Sequence, residues 1–407
     1  MPDLKVRPTS AAGPAFTDVG RFFRTGILLI SCEALRQLLP VRALRRHAMI
    51  GTSMTQRICS GLLAMFVLGL APASTPRLVL IEQHPAPVIT TRTPGAKGNK
   101  YGFEGGRVVR VRDTYHLFTS EMIADPIWVK MRLAHWRSDD RLHWTRVSTL
   151  FESSGEFAGA DARASLWSPL PVYDDRDGRW DLFYVAYHAE PNTPQQFRMN
   201  EKGRIWRAVS QTKGIDGVGG PYRDVAIVMQ PGPDSQPWEG LQGTDSFFPY
   251  KVGARWLALY GSANTESTPI QHWRVGLASA PAISGPWTRR QGGDLPIEPT
   301  FIENPIVERL RDGSYAAVYD TTKDPDAIGF SWSKDGSQWS AGQSVAIQRV
   351  KGKWSPEVRT PLGLVPEVDG TYSVFYTGFE QSADWNALMA GKPSNTFAVG
   401  FARLRMQ

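Results

Sequence analysis

The stretch from Ile302 to Thr321 reads IENPIVERLRDGSYAAVYDT, two mostly apolar runs joined by Asp312-Gly313. The first run opens on Glu303, and the second is rich in Tyr, Val and Ala. Aspartate favours turns and glycine tolerates positive φ, so this dipeptide between two apolar runs is typical of a β-hairpin. The stretch therefore predicts two antiparallel strands, with an acidic residue at the start of the first.

The same pattern occurs five times along the chain. In each copy a short turn separates two strand-like runs, and a third strand-like stretch such as RIWRAVSQTKG often follows. The copies span Phe103–Glu121, Leu166–Tyr187, Gly243–Ala263, Ile302–Thr321 and Arg359–Phe379. Their first residues are 57 to 77 positions apart, a spacing that suits a four-stranded unit with its loops.

A unit of this size cannot bury both faces of its sheet alone, so the copies must stack on their neighbours. Five such units around one axis predict an all-β fold, a five-bladed β-propeller of four-stranded antiparallel blades. A β-sandwich or a series of small β-domains is the alternative, because short strands at regular spacing also suit those folds.

The basic charge of the chain is confined to its N-terminal part. The 407 residues carry a formal charge of +7, from 46 Lys and Arg against 39 Asp and Glu. Nine of the basic and three of the acidic residues lie within 1–73, which leaves 37 and 36 for the rest. No basic stripe or RNA-binding motif remains there, so nucleic acid is not a predicted partner.

Residues 54–74, MTQRICSGLLAMFVLGLAPAS, have the order of features found in a secretory signal peptide. A basic Arg57 precedes an apolar run, and small residues follow at Ala71-Pro72-Ala73. The run is too short to span a bilayer comfortably. The prediction is therefore a secreted or periplasmic protein with no stable membrane association after signal cleavage.

This signal begins unusually late in the chain. Either the start codon assigned to this sequence lies upstream of the true start codon, which is the preferred explanation, or the segment is a membrane anchor. Residues 1–53 are then not part of the mature protein, and residues 75–407 form a single propeller domain. Both cysteines, Cys32 and Cys59, precede that domain, so it needs neither disulfides nor thiolate metal ligands.

The five copies resemble the blades of the five-bladed propeller glycoside hydrolases, the family 43-like group with its relatives in families 32, 68, 117 and 130. The third copy, with Thr244-Asp245-Ser246-Phe247-Phe248, resembles the motif of an aspartate that orients the sugar and tunes a pKa. The fourth, Ile302–Val307, resembles the general-acid motif, and Trp167-Ser168-Pro169 is similar to a Trp-Ala-Pro of that group. The likeness covers about residues 85–405.

The resemblance implies a catalytic set of Glu104, Asp245 and Glu303, with Glu303 as general acid and Glu104 as general base. The chain departs from the family pattern at two places: Glu104 stands where the family has an aspartate, and Leu170 replaces an aspartate in the second blade. Asp125 and Asp161 are alternative bases. The implied activity is cleavage of an oligo- or polysaccharide, by inversion of the anomeric centre.

Elementary chemistry supports this set of residues. Glycosidic cleavage needs an acid on the leaving oxygen and a carboxylate on the other side of the sugar, about 5 Å apart for retention and roughly 6.5–9.5 Å for inversion. Inner strands of a propeller converge at one end of its axis, so residues that open these strands face one pocket. A neighbouring carboxylate would raise the pKa of Glu303 and keep it protonated.

Several other side chains are candidates for substrate binding. Arg107, Arg163 and Arg359 could reach the mouth of the pocket and hold a carboxylate or phosphate, although ordinary ion pairs are the simpler explanation for the first two. An indole face can stack on a sugar ring, which favours the tryptophans in loops or near strand starts. These are Trp128, Trp167, Trp238 and Trp273.

The histidines and metal ligands add little to this picture. His116 and His135 are expected in the core, and His188 and His272 near the pocket loops. No cluster has transition-metal spacing, so no cofactor is predicted, although a central calcium is compatible with the fold. The oligomeric state is not predicted.

Two other functions fit the same scaffold. One is a non-catalytic carbohydrate-binding propeller, suggested by the two departures from the family pattern. The other is a phosphorylase or transferase that uses the arginines to hold phosphate. A Glu104 paired with Arg359 would weaken its assignment as base and favour these alternatives.

Overall fold

The computed structural model describes residues 75–407, except 269, 325, 348–353, 355 and 356. The sequence predictions for residues 1–53, for the signal peptide 54–74 and for the two cysteines lie outside these described residues. Within the described part, no helix is long and apolar enough to cross a membrane.

The described chain forms five antiparallel sheets of four strands each, arranged in a ring. The first four blades are β2–β5, β6–β9, β10–β13 and β14–β17, each built from consecutive strands, and the fifth has the order β18-β19-β20-β1. This architecture confirms the predicted five-bladed β-propeller. The strands are β1 (Leu78–Gln83), β2 (Gly102–Val111), β3 (Thr114–Met122), β4 (Met131–Ser138), β5 (Thr145–Glu152), β6 (Ser165–Asp174), β7 (Arg179–His188), β8 (Glu201–Ser210), β9 (Tyr222–Met229), β10 (Asp245–Val252), β11 (Arg255–Ala263), β12 (Trp273–Ala280), β13 (Thr288–Arg289), β14 (Glu303–Arg309), β15 (Tyr315–Asp320), β16 (Ala327–Ser333), β17 (Gln343–Ala346), β18 (Glu357–Pro366), β19 (Tyr372–Phe379) and β20 (Ala398–Met406).

Two short helical segments accompany the strands. A 3-10 helix, Ile215–Gly219, precedes β9, and a five-residue helix α1, Trp385–Met389, lies between β19 and β20. The Asp384 side chain accepts a hydrogen bond from the Ala387 amide and caps the start of α1.

The first strand of the domain closes the ring. β1 pairs antiparallel with the last strand, β20, with Leu78 opposite Met406 and Leu80 opposite Leu404. The fifth blade thus takes its outermost strand from the other end of the domain. Because both ends of the domain meet in one sheet, the ring cannot open without breaking this ladder.

Substitution of Leu80 tests the contribution of this closure. Leu80 is 8% exposed and packs into the main core, whereas its neighbour Ile81 is 42% exposed. We expect Leu80→Ala to lower the free energy of unfolding by about 2–5 kcal/mol. Ile81→Ala on the same strand should stay within about 0.5 kcal/mol. Equal losses in urea denaturation would show that burial of β1 does not stabilise the ring.

The inner strands share a distortion near their first residues. Each of the five carries a shift of register there, which marks a β-bulge. In the first four blades the residue at the bulge has a left-handed backbone: Gly105 (φ 67°), Ser168 (φ 51°), Ser246 (φ 50°) and Asn304 (φ 49°). A bulge turns the preceding side chain out of the regular alternation, and such bulges are common beside active sites. The side chains before these bulges accordingly point into one space at the end of the axis.

Candidate active site

A pocket that is partly open to solvent lies where the inner strands begin. Every blade supplies at least one residue to the lining of the pocket. The lining combines carboxyls, amides, hydroxyls and large aromatic rings. The lining residues are Glu104, Trp128, Trp167, Ser168, Tyr187, Phe197, Asn200, Gln242, Asp245, Trp273, Glu303, Asn304 and Arg359.

The structure brings together most of the residues singled out from the sequence. The three proposed catalytic carboxyls line this one pocket, and Arg359 lies among them. Trp128, Trp167 and Trp273 form part of the wall. Trp238 does not line it and instead packs against Tyr260, with ring centroids 5.4 Å apart.

Glu303 is surrounded by other acidic groups. Its pKa is raised well above the ordinary value, first by burial and then by the charges of Asp245 and Asp320. Glu104 adds to this effect, and only Arg359 opposes it. A carboxyl whose pKa is raised in this way holds its proton to a higher pH than an exposed carboxyl does, which suits a general acid.

Asp245 is buried and held by polar neighbours. The Ser246 hydroxyl donates to Asp245 Oδ2 at 3.0 Å, and the Gln242 amide donates to the same oxygen at 3.4 Å. Burial raises the pKa of Asp245, while hydrogen bonds from Tyr187 and Ser246 oppose that rise. Its carboxyl is thus fixed in orientation next to Glu303.

Glu104 has a hydrogen-bond donor on each oxygen. Arg359 donates to Glu104 Oε1 at 2.9 Å, and the Trp128 indole donates to Oε2 at 3.2 Å. The Arg359 guanidinium also lies 3.8 Å from Asp320 Oδ2. The two buried carboxylates and the charge of Glu303 raise the pKa of Arg359, against the effect of burial. Arg359 is therefore a buried cation shared between two acids.

Asp320 is a member of this cluster that the sequence reasoning missed. It ends β15 directly opposite Glu303 on β14, so the hairpin pairing itself brings the two acids together. Burial and the charge of Glu104 raise the pKa of Asp320 to about 6, although Arg359 lowers it. The strand alignment within the fourth copy was the signal that could have identified it.

The other missed residues come from loops and strand ends. Tyr187 closes the second copy, whereas Phe197, Asn200 and Gln242 lie in connections between strands. No repeat pattern marks these positions, so sequence periodicity could not find the last three.

Arg107 and Arg163 occupy other parts of the propeller. Arg107 donates to the Pro171 carbonyl at 2.8 Å and its guanidinium lies 4.8 Å from the centre of the Phe248 ring. Glu308 is its nearby charge partner, and burial raises the pKa of that acid to about 7. Arg163 forms an ion pair with Asp224 at 2.6 Å. Neither arginine lines the pocket.

The alternative acids and the histidines also lie away from the pocket lining. Asp125 pairs with Lys100 at 2.7 Å, and Asp161 accepts from the Arg163 amide at 2.8 Å. His116 and His135 stack with ring centroids 5.1 Å apart. Across the described residues, no group of three or more His, Cys, Asp or Glu is arranged to hold a metal ion.

Comparison with known proteins supports the fold assignment. No family model and no curated protein matches the chain. Among solved structures, Zg3597, a family 117 glycoside hydrolase produced by the marine bacterium Zobellia galactanivorans, matches with a TM-score of 0.52 and 11% identity, covering 81% of this chain and 90% of its own. BT0996, solved as an RGII complex, matches with a TM-score of 0.55 and 15% identity, covering 80% of this chain and 92% of its own.

A third solved structure, named only as a glycoside hydrolase, gives a TM-score of 0.52 at 15% identity, with 80% of this chain and 91% of its own covered. Each likeness covers about four fifths of this chain. The resemblance to the propeller glycoside hydrolases is thus confirmed at the level of the fold.

Proposed function

We propose that this protein is a glycoside hydrolase whose general acid is Glu303. The observation that carries the proposal is the position of Glu303, a carboxyl facing the pocket and surrounded by Asp245, Asp320 and Glu104, with a pKa well above its ordinary value. A protonated acid beside ionised carboxylates is the arrangement that glycosidic cleavage requires.

In the proposed reaction, Glu303 gives its proton to the glycosidic oxygen as the bond from that oxygen to the anomeric carbon breaks. A water attacks the anomeric carbon from the opposite face, and its proton passes to Glu104. Asp245 orients the sugar and maintains the pKa of Glu303. This is the inverting course, which needs room for a water between acid and base, roughly 6.5–9.5 Å between the two carboxyls.

The contacts of Glu104 with Arg359 and Trp128 leave it able to act as a general base. An ionised carboxylate has about four lone-pair sites, and Arg359 and Trp128 account for two of them on Glu104. The remaining sites can accept a water. The two donors also prevent the carboxylate from rotating, so that a bound water would be held in one direction.

A carbohydrate-binding propeller without turnover is the second candidate. The close ion pair between Glu104 and Arg359 favours it, because the pair occupies one oxygen of the carboxylate that would have to take the proton of the water. Its site would bind sugar through the same walls and release it unchanged.

Turnover separates the two candidates. The full-length protein would be incubated with a panel of plant and algal oligosaccharides, and new reducing ends would be followed by NMR. Release of a product whose first-formed anomer is opposite to that of the substrate supports the inverting hydrolase. Retention of configuration would contradict the base assignment of Glu104, and saturable binding without any product would support the binding propeller.

Replacement of Asp320 by asparagine tests the electrostatics of the acid. The charge of Asp320 raises the pKa of Glu303, so its removal should lower that pKa. Glu303 then loses its proton at a lower pH, and the alkaline limb of the pH–rate profile should move to lower pH. Asp181→Asn is the control, because Asp181 is also a buried acid paired with an arginine, Arg207 at 2.6 Å, but lies outside the pocket. An unmoved limb in Asp320→Asn would contradict this electrostatic coupling.

A further inference from the structure

The pocket has a closed floor. Directly below the catalytic carboxyls, the Ser168 hydroxyl from the second blade donates to Asn304 Oδ1 of the fourth blade at 2.9 Å. A Cβ atom on Gly105 would lie 2.4 Å from the Ser168 hydroxyl, so the backbone of the first blade is packed tightly against it. The backbone N–H of Asn304 in turn donates to the Ser246 hydroxyl at 3.2 Å. These contacts join the second, third and fourth blades across the axis and leave little room there for a bound chain to pass.

The aromatic residues that line the pocket come from three of the five blades. Trp128 packs against Phe197 and against Trp385 of α1, with ring centroids 6.2 Å apart in each case. From the third blade, Trp273 packs against Phe301 at 5.7 Å. Every aromatic residue that lines the pocket is less than 10% exposed. Such walls present flat apolar faces to the C–H groups of a sugar ring and surround a small volume.

Trp128, the lining tryptophan beside Glu104, is held in place by its own contacts. Trp128 has a left-handed backbone, with φ of 69°, a conformation that is rare for a bulky side chain. Its indole donates to Glu104, and its carbonyl accepts from the Trp167 indole at 3.2 Å. The distance between this wall and the carboxyls is therefore set by direct contacts, which makes the site selective for size.

The charge around the pocket is unfavourable for an anion. Among the described lining residues, Arg359 is the only cationic side chain, and it already donates to Glu104 and lies beside Asp320. Asp245 adds another acid on the same lining. A sugar carboxylate or a phosphate would have to compete with Glu104 for Arg359 and would face like charge around it.

The side-chain oxygen of Gln242 is a buried acceptor in the lining that no described group of the protein satisfies. The Gln242 side chain is buried, and its Oε1 accepts no hydrogen bond, although its amide nitrogen donates to Asp245. A buried acceptor without a donor is costly. A sugar hydroxyl is a neutral donor that would satisfy it.

From these features we infer that the pocket binds a single, terminal, uncharged sugar ring, so that the enzyme removes one unit at a time from a chain end. This inference rests on the proposed function for the cleavage step, but the binding of one neutral ring can be tested without it. It excludes uronic acid residues, and it excludes phosphate as the attacking group, in favour of water.

Binding is measured by the fluorescence of the pocket tryptophans in the full-length protein at pH 7. The probes are neutral monosaccharides, D-galactose, D-glucose, D-xylose, L-arabinose and L-fucose, together with D-galacturonate, D-glucuronate and inorganic phosphate. At least one neutral sugar should bind, and the uronates and phosphate should bind roughly tenfold or more weakly than it does. A uronate or phosphate that binds as well as the best neutral sugar would overturn the inference, as would the absence of any neutral ligand.

Glu104→Gln provides a shape-matched comparison, since it removes the negative charge that competes for Arg359 and preserves the shape of the side chain. The uronates and phosphate should gain affinity in this variant relative to the wild-type protein, while the neutral ligand changes much less. Asp320→Asn should act in the same direction, and it serves as the second variant if Glu104→Gln does not fold. Unchanged selectivity in both variants would contradict the electrostatic argument.

Product analysis distinguishes a failure of this inference from a failure of the proposed function. With a cleaved oligosaccharide, the first product should be the monosaccharide alone, with a ladder shortened by one unit. Internal fragments at early times would overturn terminal action while leaving hydrolysis intact. Neutral-ring binding with no cleavage of any substrate would leave the site assignment standing and remove the hydrolase proposal.

Discussion

Glu303→Gln is expected to reduce turnover by about 100- to 10,000-fold, the range that a positioned general acid contributes. Glutamine preserves the size of the side chain and can still hydrogen-bond, but it has no proton to give to the leaving oxygen. Glu303 is half-buried and faces other acids whose charges raise its pKa, so the loss of one ionisable group there should not unfold the blade. Initial rates and thermal unfolding of the same preparation measure both properties.

Glu308→Gln is the matched control, because Glu308 lies on the same strand, β14, and also has a raised pKa. Its charge interacts with that of Arg107 outside the pocket, so turnover should stay within about twofold of wild type, as for residues remote from the chemistry. The defect in Glu303→Gln should also shrink for a substrate with a 4-nitrophenol leaving group, which needs little protonation. An equal loss in both variants, or activity unaffected by Glu303→Gln, would contradict the acid assignment.

The fold could be predicted because its unit is local. Each hairpin is defined by two apolar runs and a turn such as Asp312-Gly313, all within about twenty residues, and five repeats then imply a ring. The opening strand could not be predicted in the same way. Leu78–Gln83 pairs with Ala398–Met406, more than three hundred residues away, and no pattern within either segment specifies the other.

The carboxyls of the candidate site were predictable because they follow the repeat. Asp245 and Glu303 open inner strands and Glu104 is the third residue of another, so the convergence of these strands brings them together. Arg107 shows the limit of that argument. It lies on the same strand as Glu104, but the bulge at Gly105 and Gly106 intervenes, and Arg107 instead contacts Pro171 and stacks on Phe248. Its direction depends on a local distortion that the sequence does not specify.

The loops that complete the pocket were beyond sequence reasoning for a different reason. Phe197 and Trp385 contribute to one wall through contacts with Trp128, yet they come from connections of the second and fifth blades. Such contacts depend on the path of each loop, which neither turn chemistry nor periodicity fixes. The walls decide which sugar fits, so specificity is the part of the function least accessible from the sequence.

Arg359→Met should be the most destabilising single change in the pocket. Arg359 donates to Glu104 at 2.9 Å and lies 3.8 Å from Asp320, and all three side chains are buried. Without the cation, two carboxylates remain close together with no compensating charge, which costs about 3–5 kcal/mol in a buried pair. Arg112→Met is the control: its 2.7 Å ion pair with Asp216 has comparable geometry, but the Arg112 side chain is 70% exposed, and such pairs contribute about 0–1 kcal/mol.

The penalty in Arg359→Met should depend on pH with a definite sign. Asp320 already has a folded-state pKa of about 6, above its unfolded value of about 3.9, and loss of Arg359 raises the folded pKa further. Below the unfolded pKa the carboxyl is protonated in both states and the variant loses least. As pH rises through the folded pKa, the folded state must hold an unpaired charge, so urea denaturation at pH 8 should show a larger loss than at pH 5.

A double variant, Glu104→Gln with Arg359→Met, separates loss of the cation from loss of packing. If the cost comes from unpaired carboxylates, removal of one of them should recover part of the stability, and the double variant should be more stable than Arg359→Met alone. If the two effects simply add, the buried cluster is held by packing around Arg359 and not by its charge. In that case the attraction between Arg359 and the two carboxylates would contribute little. The argument that these carboxylates keep anionic sugars away from Arg359 would then lose its physical basis.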